Sequence, residues 1–310
     1  MDVPAAVDAP ASERRRAGTA ETPPIGARDH SGRDAEPSDA PLLVIEPRHG
    51  FVRLDLHELW AYRDLLYFLT RREISIRYKQ TILGFAWAII QPVMTMLVFT
   101  VFLGKFAKVP SDGIPYPVFS YLGLLPWTYF ANAVTRSATS LVTNANLLSK
   151  VYFPRLLIPL SGVLSAMVDF LISFAVLVVL MLWYGITPAW QTLWLVPLTL
   201  LTALAAVGVG MWLSALNVKY RDVQHAIPFL MQLWMYATPV VYPASVVPER
   251  WRVLFALNPL TGVIEAYRAA TLGRPMPWAM LAVSVVSTLV AVALGTWQFR
   301  RMERVFADVV

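Results

Sequence analysis

The residues with chemistry to offer are few, and most of them are basic. Arg71, Arg72, Arg77 and Lys79 crowd the stretch WAYRDLLYFLTRREISIRYKQTILGFAWAIIQPV, which starts at Trp60 and runs into a segment without charge. Cations beside an uncharged run attract phosphates and anionic headgroups, at about 1 kcal/mol per charge near a lipid surface. A second group sits in TNANLLSKVYFPRLLIPL, from Thr143 onward. There Asn146 can cap a short helix, Lys150 and Arg155 supply charge, Tyr152 and Phe153 supply apolar anchors, and Pro154 ends the turn. This is either an element that docks into another protein or a loop fixed at a membrane surface by its charges and rings.

Other candidates have a plain reading beside a functional one. Asp169 is the sole acid in a long apolar stretch; a proton relay needs further carboxylates or histidines nearby, so a buried, neutral or hydrogen-bonded structural aspartate is expected. Glu265 and Arg268 are three apart and can pair on one helix face, or act in a gate. Lys219, Arg221 and Asp222 are close enough for a local ion pair. Tyr121, Trp127, Tyr129, Trp234, Tyr236 and Tyr242 are either an interfacial belt or the walls of a channel, where aromatic faces stack on the C–H faces of sugars. No phosphate loop, H-E-x-x-H or G-x-S-x-G motif is present, and His30, His49, His57 and His225 are scattered. Neither catalytic residues nor a metal set is assigned.

The elements that position these residues follow from composition. The 310 residues are 57% hydrophobic and 15% charged, with a mean hydropathy of +0.54. Residues 80–104, 113–135, 170–218, 226–248 and 275–299 lack Asp, Glu, Lys and Arg. About 20 apolar residues cross roughly 30 Å of hydrocarbon, so a bilayer is the solvent. Six spans are predicted at 82–103, 118–141 (kinked or unwound near Pro126), 160–183, 193–216, 226–242 and 278–298. Tyr62, Leu65, Leu66 and Leu69, with Ile76 a heptad on, give an amphipathic interface helix over 59–79, interrupted by Arg72 and Glu73. Between the last two spans, ERWRVLFALNPLTGVIEAYRAATLG predicts two short helices, with Asn258 and Pro259 opening the second and Gly273 stopping it, as a re-entrant outer hairpin. Residues 1–48 are predicted to be a disordered tail, and 49–310 the membrane domain. The net charge of +6 lies mostly beside the spans and calls for no nucleic acid. Its bias puts both termini in the cytoplasm. With no cysteine, there is no disulfide or thiolate site.

Five stretches together, RREISIRYKQTILGFAWAIIQPV, LLSKVYFPRLLIPL, LNVKYRDV, TPVVYP and NPLTGVIEAYR, resemble the membrane subunit of ABC-2 type exporters of the polysaccharide, O-antigen and teichoic-acid export family. The resemblance covers the chain beyond its first 50 or so residues. It implies an all-α polytopic homodimer in the cytoplasmic (inner) membrane, bound to two copies of a separate ATPase that carries ATP and Mg, with no cofactor on this chain. It implies as cargo a glycan on a polyprenyl pyrophosphate lipid. Residues 59–78 match the family's interface helix. Residues 144–155, with Asn146, Lys150, Tyr152, Phe153 and Arg155, match its coupling element. Leu83 and Gly84, beside Arg71, Arg72, Arg77 and Lys79, match the place where the lipid head is admitted, and 248–272 match the outer gate helices. An ABC-2 exporter of a drug or small lipid shares this architecture. A membrane-embedded polyprenyl-sugar enzyme is disfavoured because Asp112, Glu249 and Glu265 are isolated in sequence.

Overall fold

The computed structural model describes residues 56–79, 84–148 and 150–303; the tail, PLLVIEP and Leu83 lie outside them. Every regular element among the described residues is helical. α1 (Leu56–Ala61) leads into α2 (Arg63–Lys79). The apolar stripe of α2 packs as its spacing requires: Leu69 is buried, and Tyr62, Leu65 and Leu66 are half-buried against Leu141, Phe153, Leu156, Met211 and Phe299. Ile76, expected to prolong the stripe, is exposed, because the contact face beyond Leu69 is polar.

α3 (Ala86–Phe99) continues into a wider π-helical stretch, Thr100–Phe106. α4 (Tyr116–Thr143) is the hub of the bundle, packed against α3 and against α6 (Leu157–Trp183), α7 (Leu195–Lys219), α8 (Val223–Tyr236) and α10 (Thr261–Leu272). It runs unbroken through Pro126, so of the kink or unwinding expected there the unwinding is absent. Proline deletes one backbone hydrogen bond, and the neighbours that bury Pro126 on this helix keep that loss local.

α5 is the four-residue turn Ala145–Leu148, α9 is Glu249–Ala256 and α11 is Trp278–Glu303. Gly273 ends α10 in the left-handed conformation, φ +65°, which glycine adopts without a Cβ penalty. Leu260 N–H donates to the Asn258 side chain at 3.1 Å, but α10 begins at Thr261 with Leu260 at its N-cap, so Asn258 and Pro259 form the turn before the helix rather than its cap and first turn.

Among the described residues, four segments are long and apolar enough to cross a membrane: Ala86–Phe106, Leu157–Trp183, Trp190–Lys219 and Trp278–Glu303. α4 has the length but carries Arg136 and many hydroxyls; a helix ringed by protein need not present an apolar surface to lipid. α8 has 14 residues, about 21 Å at 1.5 Å per residue, and the chain then turns through TPVVYP.

Candidate functional site

The interruption of the α2 stripe is where the candidate site begins. Arg72 donates to Asn144 Oδ1 at 2.8 Å, while Asn144 Nδ2 donates to Ser140 O at 2.9 Å at the end of α4. Glu73 faces α6, where the Ser165 hydroxyl lies 3.0 Å and the Ser161 hydroxyl 3.4 Å from its two carboxylate oxygens. One turn further on, Arg77 stands 3.5 Å from Asp169 Oδ2, and Tyr78 donates its phenol to Asp169 Oδ1. From α4, Arg136 pairs with Asp169 Oδ2 and donates to Ser165 Oγ at 3.1 Å. Three helices thus meet on one polar junction.

Electrostatics follow from burial. Removal from water lifts Glu73 above its ordinary 4.5, opposed by the hydroxyl of Ser165, the charge of Arg136, the hydroxyl of Ser161 and the charge of Arg72. Tyr78 is pushed up to about 12, first by burial and then by its bond to Asp169, so at neutral pH its phenol remains a donor. Gly162 makes the geometry possible. A Cβ there would lie 2.9 Å from Ser137 N on α4, so only glycine lets the backbones approach closely enough for Arg136 to span Ser165 and Asp169.

The junction opens onto a cavity of about 310 Å³ bounded by α3, α4, α6 and α8. Arg77 and Asp169 line one part of it, Gln91, Asn132 and Gln232 add amides, and Trp87, Trp127, Tyr129 and Phe170 add rings. Tyr129 Oη has no hydrogen-bond partner among the described residues. This combines an arginine–carboxylate pair, hydrogen-bonding amides and aromatic faces in one hollow, a set that suits a hydroxyl-rich ligand.

The sequence candidates separate into groups. Arg77, Trp127 and Tyr129 share the cavity. Arg72 turns to Asn144, Arg71 and Lys79 are exposed, and Gly84 sits in a turn at φ +40°. Tyr121 is buried and donates to Ser173 O at 2.8 Å. Trp234 packs edge-on against Phe130 at 5.2 Å, and lines a second hollow with Trp251, Leu254 and Phe255. Tyr236 is exposed, and Tyr242 donates to Tyr236 O at 2.9 Å.

In the 144–155 loop the capping residue is Asn144, whose carbonyl accepts from Leu147 at 3.0 Å; Asn146 lies inside α5. Asn144 wins because its position at the end of α4 leaves its carbonyl free to open the next turn. Phe153 is buried in the protein's own core, Tyr152 is 80% exposed, Lys150 is exposed, and Arg155 donates to Glu303 O at the end of α11. Lys219 lies over the Tyr220 ring at 5.0 Å, and the described residues include no ion pair among Lys219, Arg221 and Asp222.

On α10, Arg268 is buried and donates to Glu265 at 2.9 Å and to Val240 O at 2.8 Å, with its guanidinium 3.8 Å over Phe119. Glu265 also accepts from Ala244 N–H at 3.0 Å. The two residues therefore fasten the turn after α8 to α10 and α4. Asp112 accepts from Ser245 at 3.2 Å, and no three His, Asp or Glu side chains among the described residues converge as a metal site.

Sequence reasoning missed Arg136, Ser161 and Ser165, although a signal was present. Ser161, Ser165, Asp169 and Ser173 recur every four residues, which puts them on one face of a helix. Glu73 and Arg77 have the same spacing on α2. Arg136 lies one residue past an uncharged run, within a predicted span, where a basic residue needs an acid such as Asp169.

The ABC-2 type transporter family matches residues 64–272. The O-antigen export system permease protein RfbA of Myxococcus xanthus is 34% identical over 256 residues, covering 80% of this chain and 96% of the relative. RfbA of Klebsiella pneumoniae is 29% identical over 248 residues, covering 80% and 95%, and the polysialic acid transport protein KpsM of Escherichia coli is 27% identical over 238 residues, covering 75% and 91%. With four apolar helices of spanning length and a family match that takes in α2 through α10, the chain is a multi-pass membrane protein and belongs to the ABC-2 type transporter family.

Proposed function

We propose that the chain is the permease subunit of an ATP-driven exporter that moves a polyprenyl-pyrophosphate-linked cell-envelope glycan outward across the cytoplasmic membrane. The observation that carries this reading is the cavity in which the cation Arg77 meets the rings of Trp127 and Tyr129 and the amides of Gln91 and Asn132. Pyrophosphate needs the cation, and sugars need ring faces and hydrogen-bonding edges. The names of the relatives, O-antigen and polysialic acid transporters, agree with a glycan cargo.

In this reading α4 and α8 join the four apolar helices as six spans, with both termini cytoplasmic, α2 as an interface helix and α9–α10 as a re-entrant outer hairpin. Two copies form the channel, and each engages one ATPase subunit through the loop from Asn144 to Arg155. Exposed Tyr152 and Lys150 offer the contact, and buried Phe153 anchors the loop to the bundle. ATP and Mg belong to the partner. The test is reconstitution with the cognate ATPase in proteoliposomes. ATP-dependent appearance of lipid-linked glycan in the lumen is expected, and to be reduced at least tenfold by Arg77→Glu. Transport of small amphiphiles with no response to lipid-linked glycan would refute the reading.

A further inference from the structure

Resting on that reading of the cargo, we propose that Asp169 is a positioning residue that presents Arg77 to the pyrophosphate of the ligand, and that Arg136 makes Arg77 exchangeable. Asp169 Oδ2 meets guanidiniums from two helices, Arg77 of α2 and Arg136 of α4, while Oδ1 takes the phenol of Tyr78. The two arginines are not equivalent. The Arg136 side chain is 16% exposed and also donates to Ser165, and the Arg77 side chain is 47% exposed and borders the cavity.

A buried carboxylate stripped of its only cation is strongly destabilised. Here the departure of Arg77 leaves Asp169 still paired with Arg136 and hydrogen-bonded to Tyr78. Arg77 can therefore pass to an anion in the cavity without leaving a bare buried charge. Until an anion arrives, Asp169 keeps a flexible guanidinium at the cavity edge and so lowers the ordering needed on binding. Arg77 also lies on α2, so the transfer shifts a contact between α2 and α6. Glu73, one turn earlier, stays with Ser161 and Ser165 and preserves the register of the two helices.

The experiment is a mutant cycle on the full-length permease in phosphatidylcholine nanodiscs, with retention of undecaprenyl pyrophosphate read by native mass spectrometry. Undecaprenol and phosphatidylglycerol serve as separate arms. Arg77→Gln is expected to weaken retention of the pyrophosphate by about tenfold, the scale of one charged hydrogen bond, and to leave undecaprenol unchanged. The charge-neutral pair Arg136→Gln/Asp169→Asn keeps Arg77 but removes the carboxylate that positions it towards the cavity, and is expected to lose about the same factor. The triple variant should lose no more than either, because all three residues act through one contact.

Losses that multiply to about a hundredfold, or a pair variant that binds as the wild type does, overturn the positioning role. Equal retention of phosphatidylglycerol overturns the assignment to pyrophosphate. Failure of the wild type to retain undecaprenyl pyrophosphate overturns the cargo reading instead. If the pair variant does not fold, Asp169→Glu carries the test. It keeps the charge and moves it by one methylene, so retention should fall about threefold; wild-type retention would overturn the proposal.

Discussion

Replacing Arg268 by methionine is expected to loosen α10 from α4 and from the turn after α8. The residue is 3% exposed, donates at 2.9 Å to Glu265 and at 2.8 Å to the Val240 carbonyl, and stands 3.8 Å over the Phe119 ring. Each hydrogen bond to a charged group contributes roughly 1.5–3 kcal/mol, and a desolvated cation–π contact about 2 kcal/mol. Methionine refills most of the volume, while the Val240 carbonyl loses its donor and Glu265 keeps only Ala244 N–H. The net loss is about 3–5 kcal/mol, the range for breaking a buried pair from one side. At roughly 2–4 °C per kcal/mol for a chain of a few hundred residues, the melting temperature of purified protein should fall by roughly 10 °C. Tryptophan fluorescence during a thermal scan reads it, since Trp234 and Trp251 lie near the turn that Arg268 fastens. Arg268→Met/Glu265→Leu removes both charges and should recover at least half of the loss. A single variant within about 2 °C of wild type, or a double variant lower than the single, would refute the fastening role.

Phe153→Ala should lower stability by about 3–4 kcal/mol because it empties a buried site, whereas Tyr152→Ala, on an exposed ring, should leave the melting temperature unchanged and impair only ATP-driven export, as thermal scans beside transport assays will show. Glu73 is held above 4.5 by burial, so the folded protein binds that proton more tightly than the unfolded chain. Its contribution to stability therefore grows as pH falls from neutral towards the ordinary carboxylate range. Glu73→Gln mimics the protonated form and should be neutral or stabilising at pH 7, with its advantage shrinking towards about pH 5; a melting series across pH checks the sign. Gly162→Leu should drive α6 away from Ser137 and greatly reduce the yield of folded protein, with Gly162→Ala intermediate by size-exclusion profile.

Much of this architecture was legible because the bilayer imposes a strong pattern. The uncharged runs located α3, α6, α7 and α11. What the sequence could not reveal was which polar residues meet. Arg72 and Glu73 looked like defects in an apolar stripe because periodicity describes one helix at a time, and their partners Asn144, Ser161 and Ser165 are 70 or more residues away. Arg136 and Asp169 sit on different helices, and a charge inside a span looks anomalous until its counter-ion is placed. The aromatic candidates were ambiguous for the same reason: Tyr121 and Trp234 turn into packing, while Trp127 and Tyr129 reach the cavity, and ring type alone does not distinguish these fates.

The shortness of α8 bears on how the chain is built. At about 21 Å it is shorter than roughly 30 Å of hydrocarbon, and the chain after it turns, with the Val240 carbonyl held by Arg268. That arginine is synthesised 28 residues after its acceptor. α6 and α7 can settle in lipid as soon as they leave the ribosome, since each carries its own backbone bonds and apolar surface. The turn after α8 is instead fixed only once α10 has been made and closes the bond, so this part of the fold matures later than α6 and α7 do.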